Sequence, residues 1–189
     1  MKFLKKNVLK LDKEINKLDK FVFKFINIIK KYTNYVIISG YVSILLGRSR
    51  STEDIDVFVK PIDKITFSKL YEDLKKNDFW CLNAEELDEV YSYLIDRIAI
   101  RFAKKGQTIP NFEVKFAKKL LDLGSFRDAI TVKTEIGDLK ISSLERQIAF
   151  KRFYLKSDKD IEDAKHIEET FKGKLNKELI LKYKKILEK

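Results

Sequence analysis

The segment Asp54-Ile-Asp-Val-Phe-Val59 constrains this chain most, because acidic or aromatic side chains alternate there with aliphatic ones at a spacing of two. A β-strand sends successive side chains to opposite faces, so Ile55, Val57 and Val59 share one face and Asp54 and Asp56 the other. Two ionised carboxylates held this close repel each other. A fold tolerates that only with a compensating cation or with one shared proton. A hard divalent ion, magnesium or manganese, is the natural cation where carboxylates meet phosphate oxygens.

The surrounding sequence supplies an α/β frame for that strand. Tyr35-Val-Ile-Ile-Ser-Gly40 is a β-branched run closed by glycine and reads as a buried strand entering a turn. Tyr41 to Leu46 suits a short helix, and Arg48 to Glu53 a polar loop. After the strand, Pro61 stops the extended run, and Asp63 can cap a helix reaching about Asn77. The order strand, helix, strand, helix is the rhythm of an α/β core.

Further on, Arg97 to Phe102 and Asn111 to Phe116 alternate and are expected to pair, the second carrying another acid, Glu113. The acidic cluster around Glu85 and Glu89 reads as a solvated first turn of a helix. Gly137-Asp138 between two apolar runs is a hairpin signal. Ser142-Ser-Leu-Glu145 matches a capping box, Ser157 caps a second helix, and a third occupies residues 176–188.

At the amino end, Leu4, Val8, Leu11, Ile15, Leu18, Val22, Phe25 and Ile29 follow steps of four and three, which predicts one long amphipathic helix. Such a stripe docks on its own core, pairs with a second copy, or lies on a membrane surface. The chain is thus expected to divide into an amphipathic helix (1–34), a catalytic core (35–141) and a helical part (142–189).

Charge and composition set further bounds. The net charge of +11 is concentrated at the ends, with ten lysines against three acids in residues 1–34 and six against two in residues 174–189. Two sources fit that pattern, an anionic partner such as RNA and ordinary lysine-rich solvated helices. One histidine, His166, and one cysteine, Cys81, exclude an internal disulfide and a zinc site of three or four such ligands. The lone cysteine and the absence of a secretory pattern at the lysine-rich start lead us to expect a cytoplasmic protein.

Tyr35 to Val59 resembles the nucleotidyltransferase superfamily, whose pattern is a glycine-rich strand-to-helix turn, an Asp-x-Asp on the next strand and a third acid on a neighbouring strand. Arg50-Ser-Thr-Glu-Asp54-Ile-Asp56 is similar to the Arg-x-Thr-x-Asp-h-Asp signature of AbiEii-type toxins and related minimal nucleotidyltransferases. Downstream, Ser143 to Lys151 followed by Lys159-Asp160-Ile-Glu-Asp163 resembles the helical part of that group. Two departures stand out: Gly40 is followed by the bulky Tyr41, and the third acid is a glutamate.

The resemblance implies a nucleotidyltransferase fold with a mixed central sheet, transferring a nucleoside monophosphate from a nucleoside triphosphate to RNA, tRNA-like, or to protein. It implies metal ligation by Asp54, Asp56 and Glu113. It places Ser39, Gly40, Arg50, Lys151 and Asp160 against the nucleotide, and Lys151 among the catalytic residues. Side by side with these roles, Glu113 suits a surface strand residue paired with Lys115, and Arg50 and Lys151 suit structural ion pairs. An antitoxin partner, a homodimer, and an inactive fold relative that only binds nucleotide or nucleic acid are the further expectations.

Overall fold

The computed structural model describes residues 1–188. The chain opens with β1 (Lys2–Lys5), β2 (Val8–Lys10) and α1 (Lys17–Ile29), then β3 (Tyr35–Ile37), α2 (Gly40–Leu45) and β4 (Asp54–Val59). It continues through α3 (Lys64–Lys76), β5 (Phe79–Cys81), α4 (Leu87–Ile95), β6 (Ile100–Lys104), β7 (Asn111–Phe116) and α5 (Leu120–Arg127). The hairpin β8 (Ile130–Thr134) and β9 (Gly137–Ile141) leads into α6 (Leu144–Phe150), a π-helical turn (Lys151–Leu155), α7 (Asp158–Thr170) and α8 (Lys177–Leu187).

The nine strands form one mixed sheet in the order β1-β2-β8-β9-β3-β4-β7-β6-β5. At its centre β4 runs antiparallel to β3 and parallel to β7, and the latter pairing puts Asp56 opposite Glu113. One face of β4 is sealed: Ile55, Val57 and Val59 are buried beneath the helices. Phe25 of α1 stacks on Phe112 of β7 with ring centroids 3.8 Å apart, which anchors that helix beside the central strands. The face carrying Asp54 and Asp56 is left for a site.

The amphipathic helix is present but begins at Lys17, where Asn16 caps it and exchanges a capping box with Asp19. The residues before it form the β1–β2 hairpin, turning at Asn7 with φ 60°, a conformation that asparagine tolerates. Leu4, Val8 and Leu11 therefore continue the four-three spacing without belonging to the helix. Strand β2 adds to the sheet beside β8, so residues 2–10 belong to the same sheet as the core strands.

Asp63 caps α3 and Ser157 caps α7 as expected, and β6 pairs with β7 antiparallel. The expected capping box at Ser142 is not formed. Ser143 is the N-cap residue of α6 and makes no side-chain cap, while Glu145 accepts instead from the backbone N–H of Asn176 at 3.0 Å. The β8–β9 hairpin turns through Glu135 and Ile136, two residues earlier than Gly137-Asp138. No helix among the described residues is long and apolar enough to cross a membrane.

Candidate active site

Strand β3 ends at Ile37, and the chain turns into α2 through Ser39, whose φ of 64° and ψ of −138° lie in a region that strongly favours glycine. A non-glycine residue held there marks a turn fixed by its surroundings. Gly40 follows it, and a Cβ at that position would meet the Arg50 guanidinium at 3.3 Å. The missing side chain lets Arg50 lie across the turn. Tyr41 does not crowd this approach: its ring is fully buried and its hydroxyl donates to Asp19 at 2.8 Å.

Asp54 and Asp56 stand two residues apart on the open face of β4, and the Ser39 hydroxyl lies beside Asp56. Burial pushes the Asp56 carboxyl up to about 6, and the neighbouring charges of Asp54 and Glu113 add to that rise. Lys115 and Ser39 only partly offset it. The carboxylate pair thus lacks positive charge.

Glu113 shares this face in register with Asp56, yet its carboxylate is already engaged. Arg101 donates to Glu113 Oε1 from Nε at 2.9 Å and from Nη2 at 2.6 Å, and Lys115 reaches the other oxygen at 3.4 Å. Burial would raise the Glu113 carboxyl, but Arg101 and Lys115 outweigh it and hold it below the usual range. Among the described residues no group of three Asp, Glu, His or Cys side chains would hold a metal unaided. Two carboxylates completed by phosphate oxygens is nevertheless a common setting for magnesium, which takes few protein ligands.

Asp56 and Ser39 form one wall of a cleft of about 500 Å³ between the sheet and the carboxy-terminal helices. Opposite them the π-helical turn contributes Lys151, Tyr154 and Leu155. Such turns commonly occur at functional sites. The cleft is cationic, lined by Arg97, Lys115, Lys119, Arg146 and Lys151 against Asp56 and Asp122. Arg97 and Lys119 make no ion pair with a carboxylate of the described residues and are free to meet a phosphate chain.

Lys151 is almost fully buried, its ammonium 2.6 Å from Asp163 and 3.2 Å from Asp160. Asp163 is buried as well and also binds Arg50 at 2.6 Å and Arg48. Burial alone would raise its carboxyl, but Lys151, Arg48 and Arg50 hold it below the usual range. Asp160 lies at the start of α7, beside the Ser157 cap. This network ties the loop before β4 to α7 and the π-helical turn.

Of the residues singled out from sequence, Ser39, Asp56 and Lys151 line the cleft. Gly40 and Arg50 form its turn, Asp54 lies next along β4, and Asp160 sits behind Lys151. Sequence inspection missed Arg48, Arg97, Lys119 and Tyr154. Arg48 stood within an Arg-Ser-Arg loop whose first arginine could have been weighed with its second. Arg97 carries no local signal, since its φ of 66° becomes visible only in three dimensions.

No family model matches the chain, and no curated protein matches it. Solved structures do, among them the following two. Antibiotic-resistance factor ANT(2'')-Ia, known from a solution structure, aligns with a TM-score of 0.55 at 12% identity, over 89% of this chain and 90% of that one. An antigenic nucleotidyltransferase-like protein from Paracoccidioides brasiliensis aligns with a TM-score of 0.51 at 17% identity, over 89% and 86% respectively. The chain has the nucleotidyltransferase fold, with the mixed central sheet expected for it.

Proposed function

We propose that this chain is a metal-dependent nucleotidyltransferase that moves a nucleoside monophosphate from a nucleoside triphosphate to a hydroxyl on RNA, tRNA-like, or on protein. One observation carries the proposal: the charge-deficient Asp54–Asp56 pair beside the strained Ser39 turn, at the wall of a cation-lined cleft.

The acceptor oxygen forms a bond to the α-phosphorus while the bond to the β-phosphate bridging oxygen breaks, so pyrophosphate leaves. Magnesium or manganese held by Asp54 and Asp56 would supply the positive charge that this pair lacks and polarise the phosphate. The Ser39 turn and Gly40 offer backbone at close approach to phosphate oxygens. Arg97 and Lys119 are free to bind the departing pyrophosphate. Lys151, fixed by Asp160 and Asp163, offers a positioned ammonium from the opposite wall. Glu113 can take the proton of the acceptor hydroxyl, or join a metal, on releasing Arg101.

Modifying an RNA needed for translation would make the protein a toxin of a toxin–antitoxin pair, in keeping with the Arg50 to Asp56 signature. The inward Tyr41 leaves the Gly40 turn uncrowded, which supports an active enzyme over an inactive relative. The test supplies each of the four α-labelled nucleoside triphosphates with magnesium or manganese, total tRNA and the protein itself. Label is expected in one acceptor and is lost with Asp54→Ala plus Asp56→Ala. Absence of transfer with every nucleotide and both metals sinks the proposal.

A further inference from the structure

A second cavity, of about 740 Å³, lies back to back with the nucleotide cleft. The two share a wall. Ser142 lines the cleft and Ser143 the second cavity, while Arg146 lines the cleft and its ion-pair partner Asp128, 2.7 Å away, lines the second cavity. The β1–β2 turn, the end of α5 and the loop before α8 converge there and bring Lys5, Lys6, Arg127 and Lys174.

None of these four cations pairs with a carboxylate of the described residues. Of the two acids that line the cavity, Asp128 is paired with Arg146 and bound by the Tyr183 hydroxyl, and Glu145 accepts from the N–H of Asn176, which lines the same cavity. Ser143, only 4% exposed, lines the same cavity, and its hydroxyl has no hydrogen-bond partner. The floor is apolar, with Phe3, Ile130 and Leu144.

We infer that this cavity binds single-stranded RNA, the cations taking backbone phosphates while Phe3 and the apolar floor take a base. Unpaired positive charge around an aromatic and apolar surface is the usual composition of a single-strand site. The cations come from three chain segments around a cavity of about 740 Å³, and the successive phosphates of a strand can meet all three. The inference deepens the proposed function and rests on its acceptor being RNA. The cavity holds the acceptor strand, and the cleft holds the nucleotide.

The test measures anisotropy of a labelled oligoribonucleotide of about 12 nucleotides with the full chain, without nucleotide or divalent metal. Lys6→Glu with Arg127→Glu weakens binding by about tenfold or more and reduces the log–log salt slope by about 1.4, for two lost phosphate contacts. Lys69→Glu with Lys76→Glu, the same charge change on α3, weakens it by less than about threefold. Lys6→Gln with Arg127→Gln gives the same direction at half the charge change, and unchanged melting temperatures show that all variants fold. Equal weakening in the cavity and α3 variants overturns the inference. So does displacement of the RNA by free nucleoside triphosphate, or by polyglutamate, as readily as by unlabelled RNA. Asp54→Ala with Asp56→Ala retains RNA binding. Absent transfer with cavity-dependent RNA binding therefore defeats the proposed function alone, and binding indifferent to the cavity defeats this inference alone.

Discussion

Asp56 lines the candidate cleft and Asp163 lies behind Lys151 of the other wall, and their surroundings are inverted. Asp163 is fully buried and touches three cations, Lys151, Arg48 and Arg50, which keep it ionised below the usual carboxylate range. Asp56 is half-buried beside Asp54 and Glu113, and its carboxyl rises to about 6. One aspartate is a finished clamp between the loop before β4 and α7. The other is an unfinished site, whose carboxylate form is disfavoured until a cation arrives from outside. The contrast separates residues that build the site from residues that wait for its ligand, though both are acids in the same fold.

The largest effect expected from this contrast is at the clamp. Asp163→Ala leaves Lys151 buried without its nearer partner and should cost about 3–5 kcal/mol, lowering the melting temperature by roughly 10 °C. Thermal and urea unfolding measure it, and a cost below about 1 kcal/mol would show that the cluster is not a clamp. Because the Asp163 carboxyl is lowered, its contribution is present above the unfolded carboxylate range and is lost as the pH falls through its folded value.

At Asp56 the sign reverses. Its folded pKa is raised, so its stabilising contribution is full below the unfolded value near 4 and is lost as the pH rises through about 6. Asp56→Asn, which mimics the protonated form, should therefore stabilise the metal-free protein at neutral pH by an amount on the order of 1–3 kcal/mol while abolishing transfer. Its advantage over the unaltered chain should vanish near pH 4. Melting curves from pH 4 to 7.5 check both halves, and destabilisation at pH 7 would break the contrast.

Glu113 is the intermediate case, an acid on the open face that already has cations. Arg101 is more than half exposed, at 54%, so Arg101→Gln should change stability by less than about 1 kcal/mol. The same substitution should free Glu113 and tighten divalent-metal binding. Unchanged or weaker metal binding would make Glu113 a structural partner of Arg101 rather than a reserve ligand.

Much of the frame could be read locally. The alternation in Asp54–Val59 and Asn111–Phe116, and the caps at Asp63 and Ser157, are written in adjacent residues. The candidate site was legible where a motif is local, as at Ser39, Gly40, Asp54 and Asp56. It was not legible where chemistry depends on tertiary placement. Arg48 meets Asp163 across 115 positions of sequence, and Glu113 is claimed by an arginine on the neighbouring strand. The amino-terminal stripe misled because a hairpin followed by a helix reproduces the four-three spacing of a single helix. Arg97, Lys119 and the cavity cations were hidden in a chain where lysine and arginine total 40 of 189 residues, so no single one stands out.

The central claim, that Asp54 and Asp56 form a cation site completed by phosphate, is tested most directly by manganese binding followed by electron paramagnetic resonance with a non-hydrolysable nucleoside triphosphate. The account predicts that the protein–nucleotide complex sequesters manganese and that Asp54→Ala plus Asp56→Ala releases it, with nucleotide and protein concentrations held fixed. Identical manganese signals from the two proteins would contradict it.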